Sequence, residues 1–277
     1  MMKKTIYTEW LKLKHYRAFW ILLAATAVSF PGINTLVYYA FKQTANGPTQ
    51  GGQIVKMLLG NPFAFPQTFH TTAYLSSFFA FIPAIVVIML ITNEYQFKTH
   101  RQNIIDGWQK NTFIWGKFVV IAMLTIIVTI CYVVVAVALG IAATKEVNSA
   151  ILFEKASYIG LFALQLFSQL SLAFVMGLLI RKAFIAYGIF IFYGFIVENI
   201  LVALFKLKTK LLGYDYGHFL PLEISDRLIP VPPSIGKFNE ADYRLAMDAI
   251  TPHVFYSLLF TILIWFISFR VFKKRDL

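Results

Sequence analysis

The chain has 277 residues, of which 58% are hydrophobic, 17% aromatic and 14% charged. Soluble domains carry about 25% charged residues, and here the apolar excess gathers into six runs of roughly 20 residues, the length a helix needs to cross a bilayer. This excludes a soluble enzyme, a disordered tail and a small secreted module, and the single cysteine, Cys131, forms no internal disulfide.

Residues 1–17 read as an amphipathic helix. Ile6, Trp10 and Leu13 share a face, with Tyr7 and Leu11 nearby, and Lys3, Lys4, Lys12 and Lys14 surround it. Trp at a lipid interface with Lys toward headgroups is the pattern of a surface-lying helix. The first span is expected at 18–41. It is longer than the apolar core of about 7–15 residues in a signal peptide and lacks a clear cleavage site, so it reads as a retained anchor. Further spans are expected at 73–92, 118–143, 156–180, 183–205 and 254–272, with kinks at Pro31-Gly32 and Pro83. The connections 42–72, 144–155 and 206–253 lie on one side. In the last of these, Ile229-Pro-Val-Pro-Pro233 is expected to be extended, and Asn239 to cap a short helix ending before Pro252.

Six spans put both termini on one side of the membrane. The side holding 1–17, 93–117, 181–182 and the C-terminus counted from Arg270 carries 15 basic residues in 52 positions, against 10 in 91 on the other side. The positive-inside rule therefore predicts cytoplasmic termini. The net charge of +12 is mostly a cytoplasmic face of +11, which membrane topology and contact with anionic lipid explain. No nucleic-acid partner is needed. The expected fold class is an all-α integral membrane protein, a single membrane domain over 1–277 with six transmembrane helices.

The segment 93–117 is the most informative. Phe97, Ile104, Ile105 and Trp108 are spaced i, i+7, i+8 and i+11, one helical face, while Lys98, Arg101, Gln102 and Asp106 lie largely off it. Asp106-Gly107 can end the helix, with Gly as a left-handed cap. A helix lying along the cytoplasmic surface is expected, and periodicity alone is satisfied by one that only orients its neighbours.

Polar residues inside the spans are few. Glu198 falls in the fifth span beside Asn199, and Gln165, Ser168 and Gln169 form one face of the fourth. An ionisable group at such a depth lines a path, locks helices together, or reaches water or a loop group. Ala136, Gly140 and Ala143 offer a close-packing face on the third span. The chain has no G-x-x-x-x-G-K-[ST] phosphate loop, no H-E-x-x-H and no G-x-S-x-G, and its five histidines show no metal spacing. No cofactor, metal or catalytic residue is expected on this chain.

The segment from Glu94 through Thr99, Arg101, Gln102, Asn103, Ile104, Ile105, Asp106 and Gly107 to the Gly116-Lys117 pair resembles the ABC-2-type permeases, the membrane subunits of a class of ATP-binding-cassette exporters. The opening Thr8-Glu9-Trp10-Leu11-Lys12-Leu13-Lys14 is similar to their cytoplasmic lead-in, and the span count, the short fourth–fifth connection and the long last loop extend the likeness over nearly the whole chain. Many members have Gly-Thr where this chain has Lys98-Thr99. The resemblance implies that 93–117 is a coupling helix docking on a separate ATPase subunit. Glu94, Phe97, Thr99, Arg101, Ile104, Ile105, Asp106 and Trp108 would form that contact, and Arg181 and Lys182 a secondary one. Phe97 and Trp108 would be apolar anchors and Arg101 a charge that fixes register. Glu198, Asn199, Gln165 and Gln169 become candidates for a path or an interhelical polar lock. The implied partners are an ABC ATPase subunit carrying ATP and magnesium, a second permease (a copy of this chain or a sister), and membrane lipid. The implied location is a bacterial plasma membrane, and the implied cargo a peptide, lipid or lipophilic drug. The alternative is a non-transport scaffold or integral-membrane enzyme whose surface helices bind lipid.

Overall fold

The computed structural model describes residues 2–46, 60–105, 107, 109–144, 152–212, 215–235 and 239–274, and among these it is all-helical. An amphipathic helix α1 (Met2–Lys14) leads into α2 (Arg17–Asn46). A bent pair follows, α3 (Gln67–Ser77) and α4 (Phe81–Gln96), then the short α5 (Thr99–Ile105) and the long α6 (Lys110–Ala143). The second half holds α7 (Ser157–Ile180), α8 (Ala183–Phe192), a π-helical turn (Tyr193–Val197) and α9 (Glu198–Leu212). A lid then carries a 3₁₀ turn (Tyr216–Phe219) and α10 (Glu223–Asp226), and the chain closes with α11 (Glu240–Asp248) and α12 (Ile250–Lys274). Asn239 caps α11 as expected, its side chain accepting from the Ala241 N–H.

Among the described residues, α2, α6, α7, the continuous run Ala183–Leu207 and α12 are long and apolar enough to cross a membrane. The bent pair α3–α4 makes a sixth span if it is counted as one, so the second span is broken where a single helix over 73–92 was expected. The bend is 50°. Pro83 in the first turn of α4 accounts for it, since its ring crowds the carbonyl four residues back and it donates no N–H. Phe79 and Ala80 instead make tight bonds to the carbonyls of Ser76 and Ser77.

Hydrocarbon offers no partner for polar groups, and several buried hydroxyls bond a carbonyl one turn back in their own helix. Thr92 donates to the Ile88 carbonyl, Thr125 to Ile121 and Ser268 to Ile264. α4 and α7 pack through Gly177, where a Cβ would lie 2.4 Å from Ile91 Cγ2. Gly140 on the close-packing face of α6 receives the Phe65 ring in the same way. Apolar side chains of α2 and of α8–α9 stay exposed, among them Val28, Leu36, Phe184 and Phe192. That is the face an isolated bundle presents to lipid or to another membrane subunit.

Candidate functional site: a charge ring and a lidded cleft

At the end of the bundle where α1 and α5 lie, four charged side chains close a ring. Glu94, in the last turn of α4, accepts through Oε1 from Lys117 Nζ at 2.7 Å and from Lys12 Nζ at 2.8 Å. Glu9 of α1 accepts from the same two lysines, from Lys12 at 2.9 Å and Lys117 at 2.5 Å. The other Glu94 oxygen accepts from Thr99 at the start of α5. Glu9, Glu94 and Lys117 are 3–4% exposed. Two acids and two lysines leave the ring neutral, which is what makes its burial tolerable. The ring ties α1, α4, α5 and α6 together through residues up to 108 positions apart. His100, also buried, adds a contact between its Nδ1 and the Glu94 carbonyl and packs on Tyr95.

The expected continuous helix through Phe97 is not formed. α4 ends at Gln96, and Lys98 takes a left-handed conformation at φ 54° before α5 begins at Thr99. This is the position where the resembling permeases often carry Gly, which enters that region without steric cost. Phe97 and Ile105 are therefore exposed, at 67% and 78%, without sharing one helical face, while Ile104 packs inward against the core. Arg101 is exposed, and Gly107 ends the element at φ 92° as expected. Asp106 and Trp108 lie outside the described residues. The structure brings Arg181 and Lys182 close to Lys98 and Arg101, the four basic residues lining an open groove of about 900 Å³ between α5 and the α7–α8 turn. Arg181 also sits over the Tyr95 ring at 5.1 Å.

The opposite end of the bundle is closed by the lid, residues 215–235. Glu198 accepts through Oε1 from the backbone N–H groups of Leu222 and Glu223, which satisfies the first turn of α10. It thus reaches a loop group, but a backbone one. The π-helical turn just before Glu198 shifts its register, and Asn199 satisfies the carbonyls of Gly194 and Phe195 around that turn. Asn199 is therefore occupied by its own helix. Gln165 and Gln169 of α7 both donate to Asp226 Oδ1, at 2.8 and 2.7 Å. Arg227 is held by Asp215 and Glu223, His70 contacts the Pro230 carbonyl, and Ser257 donates to the Ile224 carbonyl.

Between the lid, α7 and the α3–α4 bend lies a cleft of about 310 Å³. Asp226 is exposed to it. Desolvation by the surrounding walls, with Glu223 and Glu198 nearby, raises its carboxyl above the ordinary range. Glu9, Lys12, Lys117 and Asp226 were not singled out as site residues by sequence reasoning. Glu9 did leave a trace, as the one acid in a segment with five bases. Asp226 left none. Among the described residues no group of three or more His, Cys, Asp and Glu side chains could hold a metal.

The profile of a known family, described as ABC-2 family transporter protein, matches residues 5–197. That stretch includes the whole ring, α5 and the bent pair. The chain belongs to the ABC-2 transporter family. It is a multi-pass membrane protein, the permease component of an ABC transporter, and membership implies association with an ABC ATPase subunit. Such a membrane component generally lacks a catalytic site of its own. No curated protein matches the chain.

Proposed function

We propose that this ABC-2 permease is the membrane half of an ATP-driven exporter of a peptide, lipid or lipophilic drug in a bacterial plasma membrane, with both termini cytoplasmic. ATP and magnesium reside in the partner ATPase. The exposed Phe97, Arg101 and Ile105 grip that partner, and Arg181 and Lys182 add a second contact across the basic groove. Two permeases assemble with two ATPase subunits, and their spans move when the ATPases close.

The observation that carries this reading is the charge ring. A force applied at α5 needs a stiff connection to the spans. The Thr99–Glu94 contact and the four ion pairs supply one, running from α5 into α4, α6 and α1 at once. A helix that merely lay on lipid would need no buried tie between its base and three other elements.

The test is co-expression with ABC ATPases of the same organism, followed by capture of the complex and measurement of transport. Phe97→Asp with Ile105→Asp is expected to lose the ATPase, because charges replace the exposed apolar contacts. Glu94→Gln is expected to keep the ATPase bound while transport falls. Retention of the ATPase by the Phe97/Ile105 double variant would remove the grip. Lipid binding through the basic groove, with no ATPase captured by the unaltered chain, would favour the scaffold reading.

A further inference from the structure

We propose that the cleft at the lid end binds a primary ammonium group carried on an apolar body. This goes beyond the ATPase-coupled reading and is a property of this chain alone.

The floor of the cleft is an acceptor site without a cation. Asp226 Oδ1 takes the amide N–H groups of both Gln165 and Gln169. Because a carboxylate only accepts, it fixes the amide of Gln165 with its nitrogen toward Asp226. The Gln165 Oε1 is left buried with no donor, in a residue that lines the cleft and is 2% exposed. Among the described residues no cationic side chain pairs with Asp226, and no Lys or Arg lines the cleft. Its neighbour Arg227 is taken up by Asp215 and Glu223. An uncompensated carboxylate and an orphaned amide oxygen at one place call for a positively charged group with several N–H donors.

The walls select what carries that charge. Phe78, Phe81 and Phe195 line the cleft, and Phe81 and Phe195 meet edge to face at 5.4 Å. Aromatic faces accept both hydrocarbon and cations. The cleft's volume is at the low end of the range of about 300–1,000 Å³ typical of small-molecule sites. An anion would meet Asp226 with Glu198 and Glu223 behind it. A neutral body would leave the carboxylate without a counter-charge, and a quaternary ammonium would offer Gln165 no donor. A primary ammonium satisfies both acceptors. It can belong to an aminophospholipid headgroup or to a free lipophilic amine.

The experiment uses the full chain in phosphatidylcholine nanodiscs, with octylammonium as probe, octanol as the neutral control and calorimetry as readout. Octylammonium is expected to bind saturably and octanol not to. Asp226→Asn keeps an oxygen for the two glutamines and is expected to weaken octylammonium by about tenfold or more. Phe195→Ala is expected to weaken it less, with an unchanged gel-filtration profile. Nanodiscs containing phosphatidylethanolamine separate the two sources. Competition assigns the headgroup as ligand, and undiminished binding assigns a free amine. Equal binding of octanol by the unaltered chain overturns the proposal even if no variant folds, as does full octylammonium binding by a folded Asp226→Asn variant.

Discussion

The two ends of the bundle handle acidic side chains in opposite ways. At the α5 end, Glu9 and Glu94 each face two lysines, and their acceptors are filled by ammonium groups and one hydroxyl. At the lid end, Glu198 and Asp226 are met by backbone N–H groups and glutamine amides, with no cation on either among the described residues. A closed ring of opposite charges resists separation of any one member, because each departure strands a buried charge. Neutral donors hold a carboxylate with less energy and leave it attractive to a cation. Under the proposed function the first end transmits force, and under the further proposal the second receives a ligand.

The sharpest way to break this contrast is to remove one cation from the ring. Lys117→Met leaves Glu9 and Glu94 sharing Lys12 and is expected to destabilise the chain by about 3–5 kcal/mol. Thermal unfolding in detergent measures it, and a cost under 1 kcal/mol would mean that the ring holds nothing. At the lid end the expected effect is smaller. Glu198→Gln keeps an acceptor oxygen for Leu222 and Glu223 but loses the charge, and is expected to cost about 1–2 kcal/mol and to speed proteolysis within 206–253. Proteolysis that quickens instead near Phe97 would place Glu198 in a different unit of the fold.

The smallest effect concerns the pair that braces the lid. Burial raises the Asp215 carboxyl, but hydrogen bonds from Arg227 and the Gly217 N–H outweigh it and hold its pKa below the ordinary value. A depressed carboxyl binds its proton less readily when folded, so its contribution is complete above the ordinary carboxylate range and fades as pH falls below it. Asp215→Asn is expected to lower stability at pH 7 by about 1 kcal/mol or less, and to flatten the acid limb of the stability profile. An unchanged acid limb would show that the pair does not brace the lid.

Much of the scaffold was legible in the chain because the physics behind it is local. A run of roughly 20 apolar residues becomes a helix whatever surrounds it, Asn239 caps α11 with its own side chain, and Gly107 terminates α5. Pro83 marked the place of the bend. The candidate site was legible only in part. Glu94, Thr99 and Arg101 stood out, and so did the pair Gln165 and Gln169, but not what any of them touches. Phe97 was misplaced on a helical face because a left-handed residue at Lys98 resets the phase, and periodicity cannot register a break that costs a single residue.

Apolar length, end signals and charge bias thus settled on their own that this chain is a multi-span helical membrane protein. Which charge meets which was decided by the tertiary structure alone. Glu9 and Lys117, and likewise Gln165 and Asp226, lie on separate elements, and a Coulombic or hydrogen-bonded partner is chosen by distance in space. Only the packing of α1 against α6 and of the lid against α7 brings those groups within 3 Å of one another.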